Sequence, residues 1–247
     1  ADVLLVGDSI AAAGPAAAAA AAGRSDVQRI DARGRCVMPG MIDVHCHISF
    51  DEPSSNDELF FHRRAGLAAI VAARNARKLL RAGVTGFFDA DSIFEIGIDL
   101  RDAIESGVVH GPRMVTGGYA LVTSAGGTAG RLLPDEGGVG YARIVRSRDE
   151  IVREVRRQIK MGVDWIKVHV TGLVPRQRQA GEVQAFSLDE LRAICDTAHE
   201  LGTPVVGHCR GASSIRDAVL AGFDLLLHAT YMDEAAFELV VERKVPI

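Results

Sequence analysis

Aromatic side chains are scarce, 5% of 247 residues with a single tryptophan. The core must therefore be built from aliphatic side chains, and the abundance of Ala, Val, Ile, Leu and Gly suits buried parallel strands covered by Ala-rich helices. Cysteine is also sparse. Cys36, Cys46, Cys195 and Cys209 lie far apart with no CxxC pair, which argues against a disulfide framework and for a reducing compartment, expected to be the cytoplasm. No segment approaches the ~18 consecutive apolar residues of a membrane span. The Ala-rich stretch 11–22 is interrupted by Gly14 and Pro15 and follows no basic segment, so it does not read as a signal peptide. A basic stripe is missing too. Arg143, Arg146, Arg148, Arg153, Arg156 and Arg157 are interspersed with Asp149, Glu150 and Glu154, and the net charge is −4. This is the pattern of a solvated helix face, and it predicts neither a nucleic-acid nor a membrane partner.

What is present is a chain that is 48% hydrophobic and 24% charged, enough for a large core. An α/β barrel commonly takes about this length as one domain. Residues 1–37 read as a small β module: Val3–Val6 leads into the turn Gly7-Asp8-Ser9, and a second strand is expected at Val27–Ile30. From residue 38 to 247 short apolar strands alternate with helical patterns. Strands are expected at Met41–His47, Val84–Asp89, Arg113–Thr116, Trp165–Val170, Pro204–His208 and Asp224–His228. Helices are expected near 57–82, 98–107, 148–161, 187–201, 211–221 and 232–243. Ser187 with Glu190 and Ser147 with Glu150 have capping-box spacing. Gly83 and Gly222 sit where a helix hands over to a strand, as left-handed C-caps require. Such alternation implies a parallel sheet with right-handed crossovers. A seventh strand is expected to start at Lys244, so an eight-stranded barrel would lack its last strands and the chain would be a fragment. The alternative is an open doubly wound sheet. Residues 117–147 are Gly-rich and are expected to form a long functional loop after the third strand.

The strongest local signal is Pro39-Gly40-Met41-Ile42-Asp43-Val44-His45-Cys46-His47. Side chains two apart on a strand share a face, so His45 and His47 project together, as two imidazoles on one metal ion require, while Cys46 points away. His208 and His228 each end a predicted strand, at the end where barrel chemistry gathers. Lys167 lies inside the apolar strand Trp165–Val170. Burying an ammonium is costly unless it is paired or chemically changed. A lysine carboxylated by carbon dioxide becomes an anion able to bridge two cations; a snorkelling or acid-paired lysine is the plainer reading. His169 shares the face of Lys167 and either contacts substrate or supports the pocket.

The PGMIDVHCH segment resembles the signature of the amidohydrolase superfamily, P-G-[LM]-I-D-x-H-x-H, and the preceding VQRIDARGRCVM resembles its lead-in from a small β-sandwich. The phrases LRAGVTGFFD, GVDWIKVHVTG and AVLAGFDLLLHATYMDE are similar to the imidazolonepropionase-related group that includes Xaa-Pro and Xaa-Arg dipeptidases and some carbamate and phenylurea hydrolases. The resemblance implies a (β/α)8 TIM-barrel amidohydrolase with an N-terminal β-sandwich portion. It implies two divalent ions, zinc first among them, held by His45, His47, His208, His228 and a carboxylated, bridging Lys167. A hydroxide between the ions would be the nucleophile. A general-base Asp belongs on strand eight, and no residue here is assigned to it, so this chain alone is expected to be inactive.

The expected reaction is hydrolysis of an amide or peptide C–N bond in a small molecule, first a dipeptide or N-acyl amino acid. Arg210, which stands where related dipeptidases often carry a second His, and Tyr231 are candidates to hold a substrate carboxylate. Tyr119 is a further candidate. A carbamate, phenylurea or cyclic amide is the alternative substrate. One-metal relatives such as imidazolonepropionases and deaminases generally lack the bridging lysine, and a non-catalytic relative would have lost its ligands. A homo-oligomer is left open.

Overall fold

The computed structural model describes the chain apart from residues 1, 51, 52, 56, 128–132, 136–139 and 174–181. Two compact units are present, Ala1–Pro39 and Gly40–Ile247. In the first, β1 (Val3–Val6) and β2 (Ser9–Ala13) form an antiparallel hairpin in which Val6 pairs with Ser9. The turn between them is Gly7-Asp8, with Gly7 at φ 62°, a conformation glycine reaches without Cβ strain. Helix α1 (Pro15–Ala21) follows with proline in its first turn, where no intrahelical N–H bond is lost. The strand expected at Val27–Ile30 does not form: those residues carry no strand. A β-sandwich is thus not evident among the described residues of this unit.

The second unit is an α/β assembly. Its strands are β3 (Met41–Cys46), β4 (Val84–Asp89), β5 (Arg113–Thr116), β6 (Ala120–Val122), β7 (Ala142–Ile144), β8 (Ile166–His169), β9 (Thr171–Leu173), β10 (Val183–Gln184), β11 (Val205–Gly211) and β12 (Leu225–Tyr231). Its helices are α2 (Ala65–Arg81), α3 (Ile96–Glu105), α4 (Arg148–Met161), α5 (Leu188–Glu200), α6 (Ala212–Ala221) and α7 (Glu234–Arg243), with a π-helical turn at Glu58–His62. Strands β3, β4 and β5 pair in parallel, as do β8, β11 and β12. The amides of Asp164 and Trp165 bond the carbonyl of Thr116 and so join the stem of β8 to β5. Beyond β12, Leu226 donates to the carbonyl of Pro246. The main strands therefore lie side by side in chain order, β3-β4-β5-β8-β11-β12. A doubly wound sheet reverses its direction of growth partway; among the described residues these strands show no such reversal. The described residues of the Gly-rich stretch are not all loop. They contribute β6 and β7, and β6 pairs with β8 through Leu121 and Val168.

Side-chain alternation sorts the two faces. Ile166, Val168, Val205, Cys209 and Leu226 face outward into one core with Ile151, Val155, Leu191, Ile194 and Ile215 from the helices. Phe88, Ala90, Val206 and Leu227 form a separate inner cluster with Trp165 and Leu225. Neighbouring helices pack in sequence order. Their starts follow the capping signals: Ser147 accepts from Glu150 N, Ser187 and Glu190 complete a reciprocal box, and Asp233 accepts from Ala236 N.

Gly117 marks a close approach. A Cβ there would meet the carbonyl oxygen of Ala90 and lie 3.1 Å from Lys167 Cβ. Gly117→Ala is expected to destabilise the fold by about 2–3 kcal/mol, lowering the melting temperature by roughly 5–10 °C. Gly66, in the first turn of α2, has nothing within 4 Å of such a Cβ. Gly66→Ala should be neutral or stabilising by up to about 1 kcal/mol in the same thermal unfolding measurement.

Candidate active site

Four histidines gather at the C-terminal ends of the parallel strands. His45 is the last residue but one of β3 and His47 directly follows the strand; His208 lies in β11 and His228 in β12. Their rings form a chain of edge-on contacts: His47 to His45 at 5.1 Å between centroids, His45 to His228 at 4.8 Å, and His228 to His208 at 4.4 Å. Strand one and strand six of the series thus face each other across the curved sheet. His228 reaches this position by an irregular route. Leu226 points outward and Leu227 inward, so regular alternation would send His228 outward. The backbone turns left-handed at His228 (φ 76°) and Ala229 (φ 45°), a conformation uncommon outside glycine. That break brings its ring to His45 and His208.

Beneath the histidines lies a buried charged pair. Lys167 is 1% exposed, and its Nζ is 3.8 Å from Oδ1 of Asp91, whose side chain is fully buried. Asp91 follows β4 by two residues. Its Oδ2 accepts from His169 Nε2 at 2.9 Å and from the Tyr141 hydroxyl at 3.3 Å. His47 Nδ1 lies 2.5 Å from Oδ1 and 3.1 Å from the Asp91 carbonyl. The ring N–H aligns with the carbonyl, and Oδ1 is left as a close ionic neighbour without an aligned donor.

A second carboxylate serves His208. Glu182 Oε2 accepts from His208 Nε2 at 2.7 Å and from the Thr171 hydroxyl at 2.8 Å. Its Oε1 lies 3.7 Å from the Arg210 guanidinium. Arg210 Nε is buried without an acceptor. Tyr231, 52% exposed, ends β12 opposite Gly211, one residue from Arg210.

Protonation follows from burial and neighbours. Burial, then the charges of Lys167 and His47, pushes His45 down to about 3. Burial and His208 push His228 down to about 4, and burial takes His169 to about 4 despite Asp91. Burial alone would lower His47, but the Asp91 carboxylate overcomes it and raises the ring above its ordinary value. Lys167 falls because burial outweighs the pull of Asp91. Burial opposes ionisation of Asp91, yet Lys167 and His47 hold it well below the carboxylate range. His45 and His228 are therefore neutral at pH 7, and a neutral imidazole is the metal-binding form.

The donor chemistry suits a divalent ion: neutral imidazoles, a desolvated lysine and a carboxylate oxygen without an aligned donor. The geometry is not preset. Among the described residues no three imidazole, carboxylate or thiol groups converge as a ready ligand set. The rings pack on one another, and one nitrogen each of His47 and His208 faces an acidic residue.

Five residues singled out in the sequence, His45, His47, Lys167, His208 and His228, are thus brought to one end of the sheet. His169 joins them, 2% exposed and bonded to Asp91. Tyr119 makes its contacts elsewhere. It is 1% exposed, donates to Glu95 at 3.0 Å, and lies under the Arg143 guanidinium, 3.9 Å from the ring centroid. Asp91 and Glu182 escaped the sequence reading. Asp91 repeats the two-residue spacing of the histidines after Asp89, a usable signal; Glu182 stands beside residues 174–181 and carries none. An aromatic wall adjoins the site: Phe50 stacks on His47 at 4.9 Å, with Phe60 and Tyr141 beyond.

The Amidohydrolase family model matches residues 36–243. Ochratoxinase of Aspergillus niger is 31% identical over 225 residues, covering 84% of this chain and 46% of that protein. Its crystal structure superposes with a TM-score of 0.72 at 29% identity, over 84% of this chain and 51% of that one. A Xaa-Pro dipeptidase with methionine bound in its active site gives 0.71 at 28% identity, over 85% and 52%. Phenylurea hydrolase B gives 0.67 at 26%, over 83% and 51%. The chain spans about half the length of these relatives. With the motif, the strand order and the family match in agreement, the chain belongs to the amidohydrolase family.

Proposed function

We propose that this chain carries the metal centre of a hydrolase that cleaves amide or peptide C–N bonds, with a dipeptide or N-acyl amino acid as substrate. The observation that carries the reading is the convergence of His45, His47, His208 and His228 around the buried Lys167 at one end of a parallel sheet. The sheet is read as the larger part of an eight-stranded barrel, supported by the chain-order strand sequence and the likeness to solved amidohydrolases.

Two divalent ions fit the donors, zinc being the first choice for imidazole and carboxylate ligands. His45 and His47 would hold one and His208 and His228 the other, with carboxylated Lys167 between. Such ions supply Lewis acidity toward the scissile carbonyl and lower the pKa of water toward ~7. The protein's own groups do the rest. Burial lowers Lys167 from the ordinary lysine value and so favours the neutral amine that carboxylation requires. Arg210, with its unpaired Nε, and Tyr231 bind the substrate carboxylate at the strand ends. His169 acts through Asp91, and Tyr119 serves packing under Arg143. A carbamate or phenylurea is the second reading, favoured by the aromatic wall of Phe50, Phe60 and Tyr141 beside His47.

Metal analysis tests the centre. Close to two ions per protein are expected, falling to one or fewer in Lys167→Ala with a loss of C–N hydrolysis of about 10³-fold or more. A single ion unaffected by the substitution would overturn the bridged centre. The substrate class is tested at Arg210. Arg210→Gln should raise KM roughly 10–100-fold for substrates with a free carboxylate and leave their amidated analogues little changed. An equal effect on both would turn the assignment toward carbamates and phenylureas.

A further inference from the structure

We propose that Asn75, a residue of α2 outside the histidine cluster, is a positioning residue for substrate: it clamps the segment after β3, so that Phe50 stands as a fixed wall against which an apolar acyl group of the substrate binds. The inference rests on the hydrolase reading above and adds to it a specificity determinant in the connection between β3 and α2.

Asn75 is out of place in its helix. The rest of α2 consists of aliphatic residues, one glycine and basic side chains, and Asn75 is its only neutral polar side chain. Asparagine is a poor helix former because its amide competes for backbone groups. It sits beside the buried face, next to Ala76 and three residues after Ala72. There its amide serves the backbone of another segment. Nδ2 donates to the carbonyl of Ile48 at 3.1 Å and to that of Phe50 at 2.9 Å. A side-chain amide carries two N–H donors, one for each carbonyl. Residues 48–50 lie beyond the end of β3, where no ladder serves them, and carbonyls left unmet in a buried segment are costly.

The same three residues are held from other sides. The Ile48 amide donates to Asp89 Oδ1 at 2.8 Å, the Ser49 hydroxyl accepts from the Ile93 amide at 2.8 Å, and the Phe50 amide donates to the His47 carbonyl at 3.1 Å. Asn75 completes the set by holding the carbonyl of Phe50. The Phe50 ring then lies nearly parallel to the His47 imidazole, at 11° and 4.9 Å, with Phe60 and Tyr141 each 5.9 Å away. In a chain poor in aromatics, three of the nine phenylalanines, Phe50, Phe60 and Phe61, collect here. All three are only partly buried, whereas Phe87, Phe186 and Phe223 are enclosed in the core. Ring surface is thus left for a ligand. Phe50 borders His47, at one end of the row of histidines, and Arg210 follows His208 at the other. A substrate whose carboxylate lies at Arg210 turns its acyl group toward Phe50. A wall already fixed in place binds that group without the cost of ordering a loop.

Two readouts test the clamp. The first needs neither metal nor turnover. A stacked ring shields the carbon-bound protons of the His47 imidazole, so at a fixed pH their resonances in Asn75→Ala should move from the wild-type position toward that seen in Phe50→Ala. The second is selectivity of the zinc-loaded protein. Asn75→Ala should reduce the preference for N-hexanoyl-alanine over N-acetyl-alanine about 5–10-fold, through KM and not kcat. Phe50→Ala should do the same, and the double variant should be no worse than either, because the two residues act as one unit. A folded Asn75→Ala protein with wild-type His47 resonances and wild-type selectivity would overturn the proposal. If Asn75→Ala does not fold, Phe50→Leu carries the test, and unchanged selectivity there would overturn the wall. Resonances that shift as expected in a protein that hydrolyses no N-acyl amino acid would overturn the hydrolase reading and leave the clamp standing.

Discussion

A lysine and an aspartate, both removed from water and 3.8 Å apart, set the conditions for everything at this end of the sheet. Neither ion is comfortable alone in such surroundings, because desolvation of an isolated charge is far more costly than that of a neutral group. Their proximity makes the ionised Asp91 tolerable, and Asp91 then has capacity to spare for neighbours. It takes a hydrogen bond from His169 and another from Tyr141, and it faces His47 with both its side chain and its carbonyl. One buried carboxylate thereby connects the ends of β3, β4 and β8 and the residues just before β7. Removing its charge would leave Lys167 without a counter-ion and His47 and His169 without their common anchor.

The remaining geometry follows from how strands end. His45 sits at a register irregularity of β3 and His47 just beyond that strand, while His208 reaches the site by regular alternation, following Val206 on the inner face of β11. His228 does not. Left-handed backbone at His228 and Ala229 turns its ring across to its partners. Backbone of this kind is disfavoured by about 1–2 kcal/mol per residue, and here it falls at the cluster and not in an ordinary turn. Burial then keeps His45 and His228 uncharged, so the cluster offers lone pairs where surface histidines would begin to carry protons.

Most of this frame could be read in the residues. The strand-end histidines, the lysine in an apolar strand and the capping signals are local features, and each of the six main strands forms within a few residues of its expected place. Boundaries shifted where tertiary context decided them, as at Val27–Ile30, which lacks a pairing strand, and in the Gly-rich stretch, where β6 gains pairing from β8. The two acids were harder to read. Asp91 acts across 44 residues on His47, and Glu182 across 26 residues on His208. Such pairings depend on how the sheet curves, and no periodicity encodes that. Tyr119 shows the converse: its position after the third strand suggested the pocket, but Glu95 and Arg143 hold it in the packing around α3 and α4.

The central claim is that the histidine cluster is a metal centre. Anomalous diffraction at the zinc edge, from crystals of the protein grown with zinc, tests it most directly. The account predicts strong peaks among His45, His47, His208 and His228, with added density at Lys167 Nζ for its carboxyl group. Zinc bound elsewhere, with these rings still packed on one another and Lys167 unmodified, would contradict it.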